Sequence, residues 1–159
     1  MINLEVGQRV TLTTHLLRGS ITRIRGDIAL VEWSNGSRDV YAPEELLPVP
    51  DGMSELEAKF IHLWVELYPD ITLQPEYSIV PKRRFRWDFV HLQSQVAVEL
   101  QGAIWINNSG HSSGKGLLRD YEKLNLATSL GWRVYMLSES MITAEWLKVI
   151  VASILDAPF

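Results

Sequence analysis

Asp88 and Glu99 stand in the stretch RFRWDFVHLQSQVAVELQG, residues 84–102, whose apolar and β-branched residues otherwise describe two buried strands. A hairpin centred between Gln93 and Ser94 pairs Val90 with Ala97 and sets Asp88 directly opposite Glu99. Cross-strand neighbours have Cβ atoms about 4.5–5.5 Å apart, and like charges at that spacing are destabilising, so a positive group is expected between the two acids. Strand alternation adds Gln101 to the same face, across from Arg86, and turns Val96, Val98 and Leu100 to the other side. Three oxygen-bearing side chains therefore cluster on one face. The competing account is structural: Arg84 or Arg86 neutralises the acids on a solvated sheet surface.

Other polar residues fall into groups. Lys82, Arg83, Arg84 and Arg86 crowd one segment, and Lys115, Arg119 and Lys123 another, with Arg119 and Lys123 one turn apart on the same helical face. Glu57 borders the apolar stripe of the first helix and can face a sheet, but Ser54-x-x-Glu57 is equally a capping box that closes the helix start. The loop GHSSGKG lacks the spacing and the Ser or Thr of a phosphate-binding P-loop, which argues against ATP. His111 in that loop is a candidate phosphate contact or general base, beside the commoner case of a loop histidine with neither role. His15, His62 and His91 have no partner at metal-ligand spacing, which argues against zinc.

The elements that must position these groups follow from pattern. Residues 6–49 give short β-like runs separated by turns such as Asn35-Gly36, the signature of a small all-β barrel. PVPDGMS, residues 48–54, reads as a linker, giving domains of 1–49 and 52–159. After it come a helix from Ser54 to about Tyr68 and strands near 76–80, 85–92 and 95–100. A Gly/Ser/Asn loop leads to a helix from about Leu117 to the Gly131 stop, a strand WRVYML, and a helix capped by Thr143. The expected class is α/β, with a mixed central sheet flanked by helices behind the barrel. Trp64, Trp87, Trp132 and Trp146 fall on apolar periodicities and read as core, whereas Trp33 and Trp105 are less fixed by pattern.

Composition narrows the function classes. The 159 residues carry a net charge of −4, so any nucleic-acid surface must be a local basic patch. Cysteine is absent, which removes disulfides, thiolate metal sites and a cysteine nucleophile, and any metal must be held by oxygen or histidine. No apolar run approaches the ~18 residues of a membrane span, and no basic-then-apolar leader opens the chain. A cytoplasmic protein without membrane contact is expected.

Asp88 followed by Glu99-Leu100-Gln101, behind an initial helix, resembles the PD-(D/E)XK (restriction-endonuclease-like) nuclease superfamily. AVELQG, a loop and LLRDYEKLNLATSLGWRVYML look like its very-short-patch-repair-like and virus-type replication-repair branches, and the resemblance covers the last two thirds of the chain. The first third, with VGQRV, a Gly-x-Ile bend and an Ala-x-Val-x-Trp strand, resembles Src-homology-3-like barrels of the Tudor or KOW type.

The superfamily resemblance implies a metal-dependent DNA endonuclease acting in repair, recombination or mobile-element processing. It implies Mg2+ or Mn2+ at Asp88, Glu99 and the Leu100 carbonyl, with Gln101 and Glu57 completing the catalytic set. Gln101 replaces the usual lysine and cannot exchange a proton, though its carbonyl can ligate metal or orient water; Lys123 or Lys115 could supply a migrated charge. DNA contacts are expected from Arg83, Arg84, Lys115, Arg119, Lys123 and His111. Substrate choice is expected from a barrel carrying Trp33, Tyr41, Arg18, Arg23, Arg25 and Arg38, with a homodimer or a protein partner on the barrel left open. The alternative is a non-catalytic nucleic-acid- or protein-binding adaptor on a decayed nuclease fold.

Overall fold

The computed structural model describes residues 4–13, 18–102 and 114–156, with side chains from residue 116 onward in the last segment. His15, Trp105, His111 and the Lys115 side chain lie outside the described residues. The chain forms two compact units, residues 1–62 and 63–159.

The first unit is a five-stranded antiparallel sheet. Its strands are β1 (Arg9–Leu12), β2 (Gly19–Arg25), β3 (Ile28–Trp33), β4 (Arg38–Tyr41) and β5 (Leu46–Pro48), in the order β4-β3-β2-β1-β5. Alternation places Val10, Leu12, Ile21, Ala29, Val31 and Trp33 on the inner side, where Leu46 joins them in one core. Trp33 is 2 % exposed, and Tyr41 packs edge-on against it at 5.4 Å between ring centroids. The expected stacking role of Trp33 is thus corrected: the indole is buried in the core of a small sheet, whereas Tyr41 is only partly buried. Two of the barrel arginines are also engaged, Arg38 with Glu32 at 2.7 Å and Arg18 with Glu55 at 3.0 Å.

Glu55 opens α1 (Glu55–Leu67) and receives a second guanidinium from Arg9 at 2.9 Å. Burial opposes its ionisation, but its own backbone N–H, Arg9 and Arg18 outweigh that cost and hold its carboxyl below the usual value. Ser54 and Glu57 close the same helix start reciprocally: the Ser54 N–H donates to Glu57 Oε2 at 2.6 Å, and the Glu57 N–H to Ser54 Oγ at 3.2 Å.

The second unit is built on a mixed four-stranded sheet, β6 (Gln74–Tyr77), β7 (Trp87–His91), β8 (Val96–Gln101) and β9 (Arg133–Ser138), flanked by helices. β6, β7 and β8 are antiparallel in turn, and β8 and β9 are parallel. A parallel pair needs a long crossover, supplied by the segment holding α2 (Gly114–Ser129). α2 ends in a Schellman motif: Gly131, at φ +85°, donates to Thr128 O, and the Trp132 N–H to Ala127 O. That stop directs the chain into β9, and Leu124, Ala127, Trp132 and Val134 pack with Trp87, Val90 and Ala97. α3 (Ala144–Leu155), capped by the Thr143 hydroxyl, packs against β8.

The first of the expected strands lies slightly earlier than pattern suggested, at 74–77, and α2 begins before Leu117. Trp146, expected in the core, is 40 % exposed on the outer side of α3. Its period matches the apolar stripe, but Leu147, Ile150 and Ile154 fill the inward face instead. Among the described residues no helix is long and apolar enough to cross a membrane.

Gly19 shows how tightly the first core is closed. A Cβ there would lie 2.4 Å from the Trp33 ring and 2.8 Å from Val31 Cγ1. Gly19→Ala is expected to destabilise the protein by about 1–3 kcal/mol through overpacking, read as a lower urea midpoint. An unchanged midpoint would show that Trp33 can shift freely.

Candidate metal and phosphate site

The β7–β8 register pairs Phe89 with Val98, Val90 with Ala97 and His91 with Val96, which is the hairpin expected from the sequence. Continued by one residue, it brings Asp88 alongside Glu99. Each acid then bonds the backbone of the other strand. Asp88 Oδ2 accepts the Leu100 N–H at 2.6 Å, and the Glu99 carboxylate accepts the Asp88 N–H. These two bonds relieve the like-charge conflict by turning the carboxylates along the sheet. They also fix Asp88 and Glu99 to the strand ends more firmly than solvent-exposed acids would be.

The cation expected between them comes from α2. Lys123 Nζ lies 2.5 Å from Glu99 Oε2, with side chains only 12 % and 19 % exposed, and 4.3 Å from the Trp87 ring centroid. Of the neutralisers considered from sequence, Arg86 reaches Glu76 at 3.6 Å, and Arg84 is exposed. Lys123 belongs to the buried shoulder of α2 because it sits one turn before Ala127, which packs on the sheet. Lys123, expected at phosphate, is engaged here in an internal ion pair with Glu99 at the wall of a cleft.

A cleft of about 400 Å3 opens beside this pair. Arg84, Phe85 and Arg86 line it from the strand approaching β7, Glu99 from β8, and Gly116, Arg119, Asp120 and Lys123 from α2. The Arg119 guanidinium lies 5.7 Å from the Phe85 centroid, and Arg83 lies 5.9 Å from the same ring while pairing with Glu122. Arg84 and Arg119 thus face the cleft, whereas Arg83 is tied to a partner. Burial pushes the Glu99 carboxyl above its usual value; Lys123 pulls it down, Asp120 pushes it further up, and the Asp88 N–H lowers it, without cancelling burial.

Two further acids near the site, Glu76 and Asp120, are absent from the residues expected from sequence. Glu76, at φ +50°, brings a carboxylate oxygen within 4.8 Å of one from Asp88. Pattern placed the strand of Glu76 later, so its register with Asp88 was hidden. Asp120 could have been found, because it lies one turn before Lys123 on the same helix face. Gln101 ends β8 across from Ser138, next to Leu100. Glu57 Oε2 accepts the Ser54 N–H.

No family model and no curated protein matches the chain. Among solved structures, the catalytic domain of the homing endonuclease I-Bth0305I is similar, with 20 % identity and a TM-score of 0.44 over 63 % of this chain and 90 % of that one.

The raised Glu99 carboxyl has a signed consequence for stability. The folded chain holds that proton more tightly than the unfolded chain, so acidification from neutral through the raised midpoint to 4.5 adds stability from this group. Glu99→Gln should delete that segment of the pH–stability curve, measured by urea unfolding. A curve of unchanged shape between the two proteins would refute the assignment.

Proposed function

We propose that this chain is a metal-dependent DNA endonuclease of the restriction-endonuclease-like PD-(D/E)XK type, with Mg2+ or Mn2+ as its cofactor. The observation that carries the reading is the meeting of Glu99, cross-bonded to Asp88, with Arg84, Arg86, Arg119 and Lys123 at one cleft. A polyanion suits such a cleft, and phosphates take their contacts from arginine and lysine. Asp88, Glu99, Gln101 and the Leu100 carbonyl would hold the ion, and all are oxygen donors of the kind hard cations select. Such an ion, when bound, lowers the pKa of its water and offsets charge on the scissile phosphate.

The protein's own residues divide the remaining work. Arg84 and Arg119 bind backbone phosphates on either side of the cleft, and Phe85 stacks on Arg119 to hold it there. Gln101 orients water through its amide without exchanging a proton. Lys123 stands where it can replace the lysine that Gln101 lacks. Glu57 serves as a helix cap first and as a supporting acid second. The first unit, proposed as a Src-homology-3-like barrel, contributes substrate choice through Arg23 and Arg25, which line a shallow cleft with Ile28, Leu30 and Val40.

A second reading, the non-catalytic adaptor, has one observation in its favour: Glu99 is already neutralised by Lys123. Substitution separates the two. Asp88→Asn and Glu99→Gln should each abolish Mg2+-dependent cleavage of branched, mismatched or linear DNA while circular dichroism stays native. Wild-type protein that binds DNA but cuts none of these substrates with either ion would establish the adaptor.

Phosphate binding is tested separately from chemistry. Arg84→Ala combined with Arg119→Ala should weaken binding to all sequences alike and remove roughly two units from the slope of log affinity against log salt. An unchanged slope would place the DNA path outside this cleft.

A further inference from the structure

We infer that Lys123 is the resident cation of the site, holding the Glu99 carboxylate in reserve until a divalent ion displaces it. The inference deepens the nuclease reading and rests on it. Four observations in the second unit lead there. Lys123 Nζ is 2.5 Å from Glu99 Oε2, and both side chains are largely withdrawn from water. Trp87 underlies the ammonium, so the lysine has a fixed seat rather than a sweeping surface position. The Asp88 carboxylate accepts the Leu100 N–H and lies near Glu76. The open cleft begins at Lys123 itself, with Arg84 and Arg119 on its walls.

These positions impose an exchange. Removing the counter-ion from a buried carboxylate is costly, so Glu99 changes partner without passing through an unpaired charged state. On this inference a metal that takes Glu99 Oε2 together with Asp88 displaces the ammonium from that oxygen. Its seat on Trp87 borders the cleft, so the freed Nζ moves toward the space where a phosphate would lie. Metal binding then delivers a cation to the substrate, and bound phosphate in turn favours metal binding. Glu99 serves two cations in succession, and the charge-neutral Gln101 at the neighbouring strand position leaves Lys123 as the mobile one.

The test is Mn2+ binding to the full chain at mildly alkaline pH, with acetylation of Lys123 followed by mass spectrometry. Lys123→Met keeps the side-chain length and removes the competitor, so it should bind Mn2+ roughly tenfold more tightly than wild type, a change within the usual range of coupling between sites. In the wild-type protein, Lys123 should acetylate slowly alone and faster once Mn2+ is added. The labelling arm needs no variant and decides the matter if Lys123→Met does not fold. Equal or weaker Mn2+ binding by a folded Lys123→Met, or Lys123 labelling indifferent to bound Mn2+, would overturn the exchange while leaving the metal-nuclease reading intact. Failure of both proteins to bind Mn2+ would overturn both.

Discussion

Glu99 brings a negative charge to a place where little of its side chain meets water, and the second unit is arranged around that cost. Desolvation alone would favour the neutral acid. Lys123 and the Asp88 N–H oppose it, and Asp120 adds to it, leaving a carboxyl that titrates higher than usual yet keeps a cation at its oxygen. A buried pair of this kind contributes little net stability compared with apolar packing.

Holding the pair in register requires most of the surrounding architecture. The β7–β8 hairpin aligns Asp88 with Glu99, and the exchange of side-chain and backbone bonds between them keeps the strand ends together where two acids would repel. The parallel partner β9 forces the chain through a crossover, so that α2 lies against the same sheet. Its Schellman stop at Gly131 and the packing of Ala127 against Val90 and Ala97 fix the rotation of the helix. That rotation turns Lys123 inward and leaves Arg119, one turn earlier, at the cleft.

The first unit obeys a different constraint. A small sheet buries a limited area, so its largest side chain is needed inside, and Trp33 fills the core against Gly19 and Tyr41. Glu55 then gathers Arg9 and Arg18, the second of which sequence alone would leave for a substrate. Arg23 and Arg25 are exposed and line a shallow cleft with Ile28, Leu30 and Val40.

The sequence by itself determined the order of elements, the hairpin register that opposes Asp88 and Glu99, the capping box at Ser54–Glu57 and the helix stop at Gly131. Each of these is set by local chemistry: side-chain period, turn residues, or a cap that forms within a few positions. Only the tertiary structure decided which cation answers Glu99. The nearest candidates along the chain, Arg84 and Arg86, lie on exposed backbone beside β7, whereas Lys123 arrives from a helix whose rotation depends on packing against the sheet. The same holds for Glu76, which the β6–β7 register sets across from Asp88, and for Trp33, whose burial follows from the size of its core. Local pattern selects the elements; the partner of a buried charge is selected by whichever distant side chain the packed helix delivers to it.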